Sequence, residues 1–168
     1  MYKAILAVLL VVAAGAAQAQ VAVGDVPPDE LGKDRSGTPV RISDHRGKVV
    51  VISFWASWCT YCLKELPALE SIQKVAGKDQ LEVVAVNFKE EAALYRRMLA
   101  KLKDLQMTFT HDGNGQLGNR YGLRGLPFLV MIGRDGRVAF THAGYGEQTL
   151  DRIIDEINTL LAAPVPAA

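Results

Sequence analysis

Cys59 and Cys62 are the two cysteines of the chain, and both lie in SFWASWCTYCLKELP, residues 53–67. Three chemistries fit a C-x-x-C spacing: a dithiol that exchanges electrons with another disulfide, a passive bridge, or half of a metal site. A passive bridge would close a very short loop, which removes little chain entropy and stabilises weakly beside a long-range link. A closed zinc site needs two more N or S ligands. His45, His111 and His142 are the remaining donors, and they are scattered. A Cu(I) carrier built from both thiolates and one histidine is the metal alternative that soft ligands favour.

The flanking elements decide how such a pair could work. VVVISFWA, residues 49–56, is a continuous β-branched and aromatic run that reads as a buried central strand. Helical spacing follows, with Leu66, Leu69, Ile72 and Ala76 on one stripe and Gly77 as a stop. Pro67 falls inside that helix and should kink it. Cys59 is therefore placed where the strand ends and the helix starts. The first N–H groups of a helix lack intrahelical partners, and the dipole adds partial positive charge there. A thiolate is favoured at such a point, so Cys59 is the expected nucleophile. Cys62, almost one turn along on the same face, can reach back to resolve a mixed disulfide. Trp58 is expected to shield one side of the pair.

The rest of the chain supplies the scaffold. An irregular lead-in with Pro27 and Pro28 precedes a short strand in TPVRISDHRGK, one arm of an N-terminal hairpin. LEVVAVNF reads as a second buried strand. EEAALYRRMLAKLKDL is an amphipathic helix with Leu94, Met98, Leu102 and Leu105 on its apolar face. MTFTHD is a short strand, GQLGNRYGLRG a short helix and turn, and LPFLVMI and VAFTHAG are strands joined at Asp135-Gly136, a favoured hairpin pair. The last helix carries Leu150, Ile153, Ile154, Ile157 and Leu161. The order is β-α-β-α-(β)-α-β-β-α. It implies parallel pairing through crossovers, then an antiparallel hairpin, in a mixed central sheet with helices on both faces.

Length, 168 residues, and an apolar fraction of 49% suit one domain with one core. Net charge is +1 with no basic or acidic block, so nothing points to nucleic acid. Residues 1–19 read as a signal peptide: Lys3, an apolar run, then Ala17-Gln18-Ala19 as a small-x-small site. That run is about 14 residues, shorter than the roughly 20 of a spanning helix. An uncleaved anchor is the alternative, and membrane contact is expected only in that case. The domain is assigned to residues 20–163 and a loose tail to 164–168. Export, to a periplasm or beyond, is a setting where disulfides form and persist.

FWASWCTYC, GLRGLP and GRDGRVAFTHAG together resemble the thioredoxin superfamily. Residues 24–162 look like its exported TlpA/ResA-type thiol-disulfide oxidoreductases, which include reductases of cytochrome c maturation. ISDHRGKVVVISFWA matches the lead into the first core strand, and CLKELP matches the pattern after the second cysteine. The resemblance implies a thioredoxin-like three-layer α/β/α fold and no cofactor or metal. It also implies that Leu126-Pro127 is a cis peptide beside the cysteines, with Leu126 meeting a partner's extended backbone. Glu65 matches an acid that exchanges a proton with the buried thiol. Trp55 and Trp58 match flanking aromatics, and the partner-binding rim is expected at Leu126, Pro127, Trp58 and Tyr61. Thr60-Tyr61 departs from relatives that carry proline before the second cysteine, and that pair tunes the potential. Phe128 replaces a small polar residue and is expected to add apolar surface beside the site.

By that resemblance the chain is a reductant of disulfide-containing client proteins, recharged by an upstream membrane thiol donor. Cytochrome c apoprotein, a copper-centre assembly factor and damaged envelope proteins all fit as clients. An oxidase or isomerase on the same fold is the nearest alternative, and a peroxidase a more distant one.

Overall fold

The computed structural model describes residues 20–166. The leader reading of residues 1–19 and the last two residues of the tail fall outside the described residues. Within them the chain forms β1 (Glu30–Lys33), β2 (Pro39–Arg41), a 3-10 turn (Ile42–His45), β3 (Val49–Trp55), α1 (Thr60–Ala76), β4 (Leu81–Phe88) and α2 (Ala92–Lys101). These are followed by β5 (Thr108–Asp112), α3 (Gln116–Arg120), β6 (Phe128–Ile132), β7 (Val138–Ala143) and α4 (Glu147–Ala162). From β3 onward the order is the expected one, with the short strand in MTFTHD present.

Crossovers through α1 and α2 make β3, β4 and β5 parallel. β6 then pairs antiparallel with β3, and β7 antiparallel with β6. The sheet order β5-β4-β3-β6-β7 puts β3 at the centre. Every residue of β3 is buried, which is why its sequence runs apolar without a polar face. β1 and β2 form the separate N-terminal hairpin.

Strand alternation splits the core in two. Val49, Val51 and Trp55 join Leu66 and Leu69 of α1, Tyr95 of α2, and Ile153 and Ile157 of α4. Val50, Ile52 and Phe54 join Leu31 and Val40 of the hairpin with Leu117, Tyr121 and Phe128. The three-layer α/β/α arrangement holds, but the layers are unequal. Three helices crowd one face, while the hairpin, the 3-10 turn and the short α3 cover the other. Tyr121 ties the lead-in to this second layer by donating its hydroxyl to the Pro28 carbonyl at 2.7 Å.

Two local readings change. α2 stops at Lys101, so Leu102 and Leu105 lie beyond it, although both still pack on the core. The buried residue of α2 is Tyr95, one position past Leu94. α1 runs through Pro67 to Ala76, with Pro67 exposed, and Gly77 closes it at φ 85° by donating its N–H to the Gln73 carbonyl. Leu69 is fully buried between α1 and the sheet. Leu69→Ala should cost about 2–5 kcal/mol in urea unfolding. Thiol reactivity should be unchanged, because Leu69 is two helical turns from Cys62.

Candidate active site

The backbone leaves β3 at Trp55 and turns sharply into α1. The Cys59 N–H donates to the Ala56 carbonyl at 3.1 Å, closing a turn over residues 56–59. Cys59 is the N-cap of α1, in extended geometry, and its Sγ accepts the Cys62 N–H at 3.2 Å. The cysteines are joined as a disulfide with their Cα atoms 5.2 Å apart. Sulfur thus occupies the place an N-cap oxygen usually takes, and one orphan N–H of the helix already points at it. The two sulfurs are not equivalent. Cys59 retains 6% exposure, whereas Cys62 has none.

Glu65 stands one turn beyond Cys62 and is buried, at 1% exposure. Ser53, in the middle of β3 between Ala85 and Leu129, donates its hydroxyl to Glu65 Oε1 at 2.8 Å. Glu65 Oε2 is buried without a partner among the described residues. Burial pushes the carboxyl up to about 7, against the opposing pull of the Ser53 hydrogen bond. An acid poised near neutrality thus shares a helix face with Cys62.

The Leu126-Pro127 peptide is cis. Pro127 is buried and its carbonyl accepts the Gly144 N–H at 2.8 Å. Leu126 is half-buried, packs against both core clusters, and has no backbone partner among the described residues. Trp58 and Tyr61 are 71% and 58% exposed. Lys64 Nζ lies 5.9 Å from the centre of the Tyr61 ring.

Trp58 is largely exposed, and the buried member of the flanking pair is Trp55, packed edge-on to Phe109. One expectation needs correction. Phe128 adds no surface beside the cysteines. At 2% exposure it packs with Phe54 in the core on the opposite face of the sheet. The parity of β6 sends Leu129 and Met131 toward α1, and Phe128 away from it.

The histidines do not gather at the cysteines. His111 stacks on Tyr95 at 4.6 Å, and His142 pairs with Glu156. His45 closes the 3-10 turn ahead of the first residue of β3, at the end of the sheet away from α1's N-terminus. Among the described residues no group of three or more His, Cys, Asp or Glu side chains could hold a metal ion. Sequence reading missed another buried acid at the site, Glu90, which binds the turn ahead of Cys59. Nothing in NFKEEAAL separates Glu90 from its exposed neighbour Glu91, so the sequence carried no signal for it.

Comparison with known proteins agrees with this geometry. The Redoxin family matches residues 22–160. Thiol-disulfide oxidoreductase ResA of Geobacillus thermodenitrificans is 34% identical over 118 residues, covering 70% of this chain and 67% of that protein. Thioredoxin-like protein YneN of Bacillus subtilis is 34% identical over 123 residues, covering 72% and 71%. Among solved structures, a thiol:disulfide interchange protein DsbE from Chlorobium tepidum superposes with a TM-score of 0.79 at 30% identity, covering 85% of this chain and all of that one. With a C-x-x-C disulfide opening α1 in a thioredoxin-like sheet, the chain belongs to the Redoxin family and is a ResA-type thiol-disulfide oxidoreductase.

Proposed function

We propose that the protein reduces disulfides in exported client proteins, with Cys59 as nucleophile, Cys62 as resolving thiol and Glu65 as proton carrier. The observation that carries this division of roles is the asymmetry of the pair: Cys59 caps the helix and keeps 6% exposure, whereas Cys62 lies inside the helix with none. In the reduced protein the Cys59 thiolate attacks one sulfur of the client disulfide. The client S–S bond breaks, its second sulfur leaves with the electron pair and takes up a proton, and a mixed disulfide forms. Cys62 then gives its proton to Glu65 and attacks Cys59 Sγ. The other client sulfur leaves as a thiol, and the Cys59–Cys62 disulfide remains. Two electrons have passed to the client.

Leu126 would pair with the extended client backbone through its unpartnered peptide groups, with Pro127 packed behind it. Trp58 and Tyr61 would frame the docking rim. An upstream thiol donor, membrane-held if residues 1–19 direct export, would return the dithiol. No helix among the described residues is long and apolar enough to cross a membrane.

The direction of transfer is tested by equilibrating the protein with glutathione redox buffers and reading the thiol state. A reductant should have a potential well below the roughly −180 mV of disulfide isomerases. A value at or above that figure would assign the protein to oxidation or isomerisation instead.

A further inference from the structure

Glu90 has no part in the exchange steps above, yet its hydrogen bonds converge on the nucleophile's turn. Glu90 follows β4 and is 6% exposed. Its Oε2 accepts the Ser57 N–H at 2.9 Å and the Asn87 side-chain amide at 2.6 Å, and its Oε1 accepts the Ser57 hydroxyl at 2.5 Å. Its carbonyl is held as well, by His111 Nε2 at 2.7 Å, and the His111 ring is stacked on Tyr95. Lys89, just before it, is the one non-glycine residue with positive φ among the described residues, at 53°. A left-handed conformation at a lysine persists only where its surroundings impose it. Here the Lys89 N–H donates to the Asp112 carbonyl at 3.0 Å.

Ser57 and Trp58 are the central residues of the turn that ends at Cys59. Both donors of Ser57 are committed to Glu90, so that turn is pinned to the end of β4 as well as to β3 and α1. We infer that Glu90 is a positioning residue: by holding Ser57 it fixes the Trp58–Cys59 segment, and so the line along which Cys59 Sγ meets a client disulfide. Thiol–disulfide exchange is sensitive to that line, because attacking, central and leaving sulfurs must approach collinearity. Glu90 touches neither sulfur and transfers no proton. The inference rests on Cys59 being the attacking thiol.

The test uses the reduced full-length protein and a small probe disulfide, 5,5′-dithiobis(2-nitrobenzoate), with a disulfide-bonded peptide in parallel. Glu90→Ala should slow Cys59 attack on both about tenfold. Glu90→Gln keeps a carbonyl oxygen for the Ser57 N–H and Asn87, and its amide can donate to the Ser57 hydroxyl. It should recover the wild-type rate to within about twofold. A folded Glu90→Ala protein reacting at the wild-type rate would overturn the inference. So would a Glu90→Gln protein as slow as Glu90→Ala, since charge and not geometry would then matter. If Glu90→Ala does not fold, Ser57→Ala carries the test, with about threefold slowing expected and an unchanged rate overturning it. Cys59→Ser serves as control. Residual attack in that variant refutes the nucleophile assignment itself, a different failure from an unresponsive Glu90.

Discussion

Cys59→Ser should remove disulfide reduction to the background rate of free thiols, while Cys62→Ser should still attack a client and then stall as a mixed disulfide. The difference follows from the placement of the two sulfurs. Cys59 is the N-cap, its sulfur receives a helix N–H, and the residue keeps 6% exposure. Cys62 is inside α1 with no exposed surface, so an outside disulfide cannot approach it in line. It can attack only a sulfur already attached to Cys59. The variants should therefore separate in a gel-shift assay with a disulfide-bonded peptide. Cys62→Ser gives a stoichiometric adduct sensitive to dithiothreitol, and Cys59→Ser gives none. Equal residual activity in both would sink the division of roles. The same Cys62→Ser protein, exposed to an extract of exported proteins, would retain the clients covalently for identification.

Much of this site was legible because its signals are local. The β-branched run 49–56 and the helical spacing after it place Cys59 at a strand-to-helix junction, and the structure has that junction. Glu65 was visible by its offset from Cys62 and by family resemblance. What stayed hidden depends on register. Ser53 can reach Glu65 only because β3 lies between β4 and β6 with Ser53 facing α1, and no spacing rule encodes which way a fully buried strand faces. Phe128 was misplaced for the same reason. An apolar run such as LPFLVMI is equally consistent with either parity, so the side of the sheet each residue takes is decided by the tertiary fold. Glu90 lies 31 residues after Cys59 in the chain and meets its turn only through the β3–β4 pairing. In α2 the buried Tyr95 escaped an apolar-stripe reading because the ring stacks on a histidine contributed by β5.

Glu65→Gln should change the protein's response to pH in two separable ways. The first concerns stability. An exposed glutamate has a pKa near 4.5, whereas burial raises Glu65 in the folded protein to about 7. The folded state therefore holds this proton more tightly than the unfolded chain does. Its contribution is fully present below about pH 4.5, is lost as pH rises toward 7, and leaves a penalty of about 3 kcal/mol above that. Glutamine does not titrate, so urea unfolding of the oxidised variant should gain on wild type by about that amount between pH 4.5 and 8. The second concerns resolution of the mixed disulfide. Cys62 must lose a proton in a buried site, and in the proposed mechanism Glu65, on the same helix face and with one buried oxygen unpartnered among the described residues, would accept it. Glutamine retains the Ser53 hydrogen bond but cannot take the proton. Decay of the mixed disulfide in Glu65→Gln, followed by rapid acid quench, should slow by about a hundredfold at neutral pH and lose its inflection near 7. If stability alone responds and the decay keeps its wild-type rate and pH profile, Glu65 is a buried acid the fold tolerates, and the Cys62 proton leaves by another route.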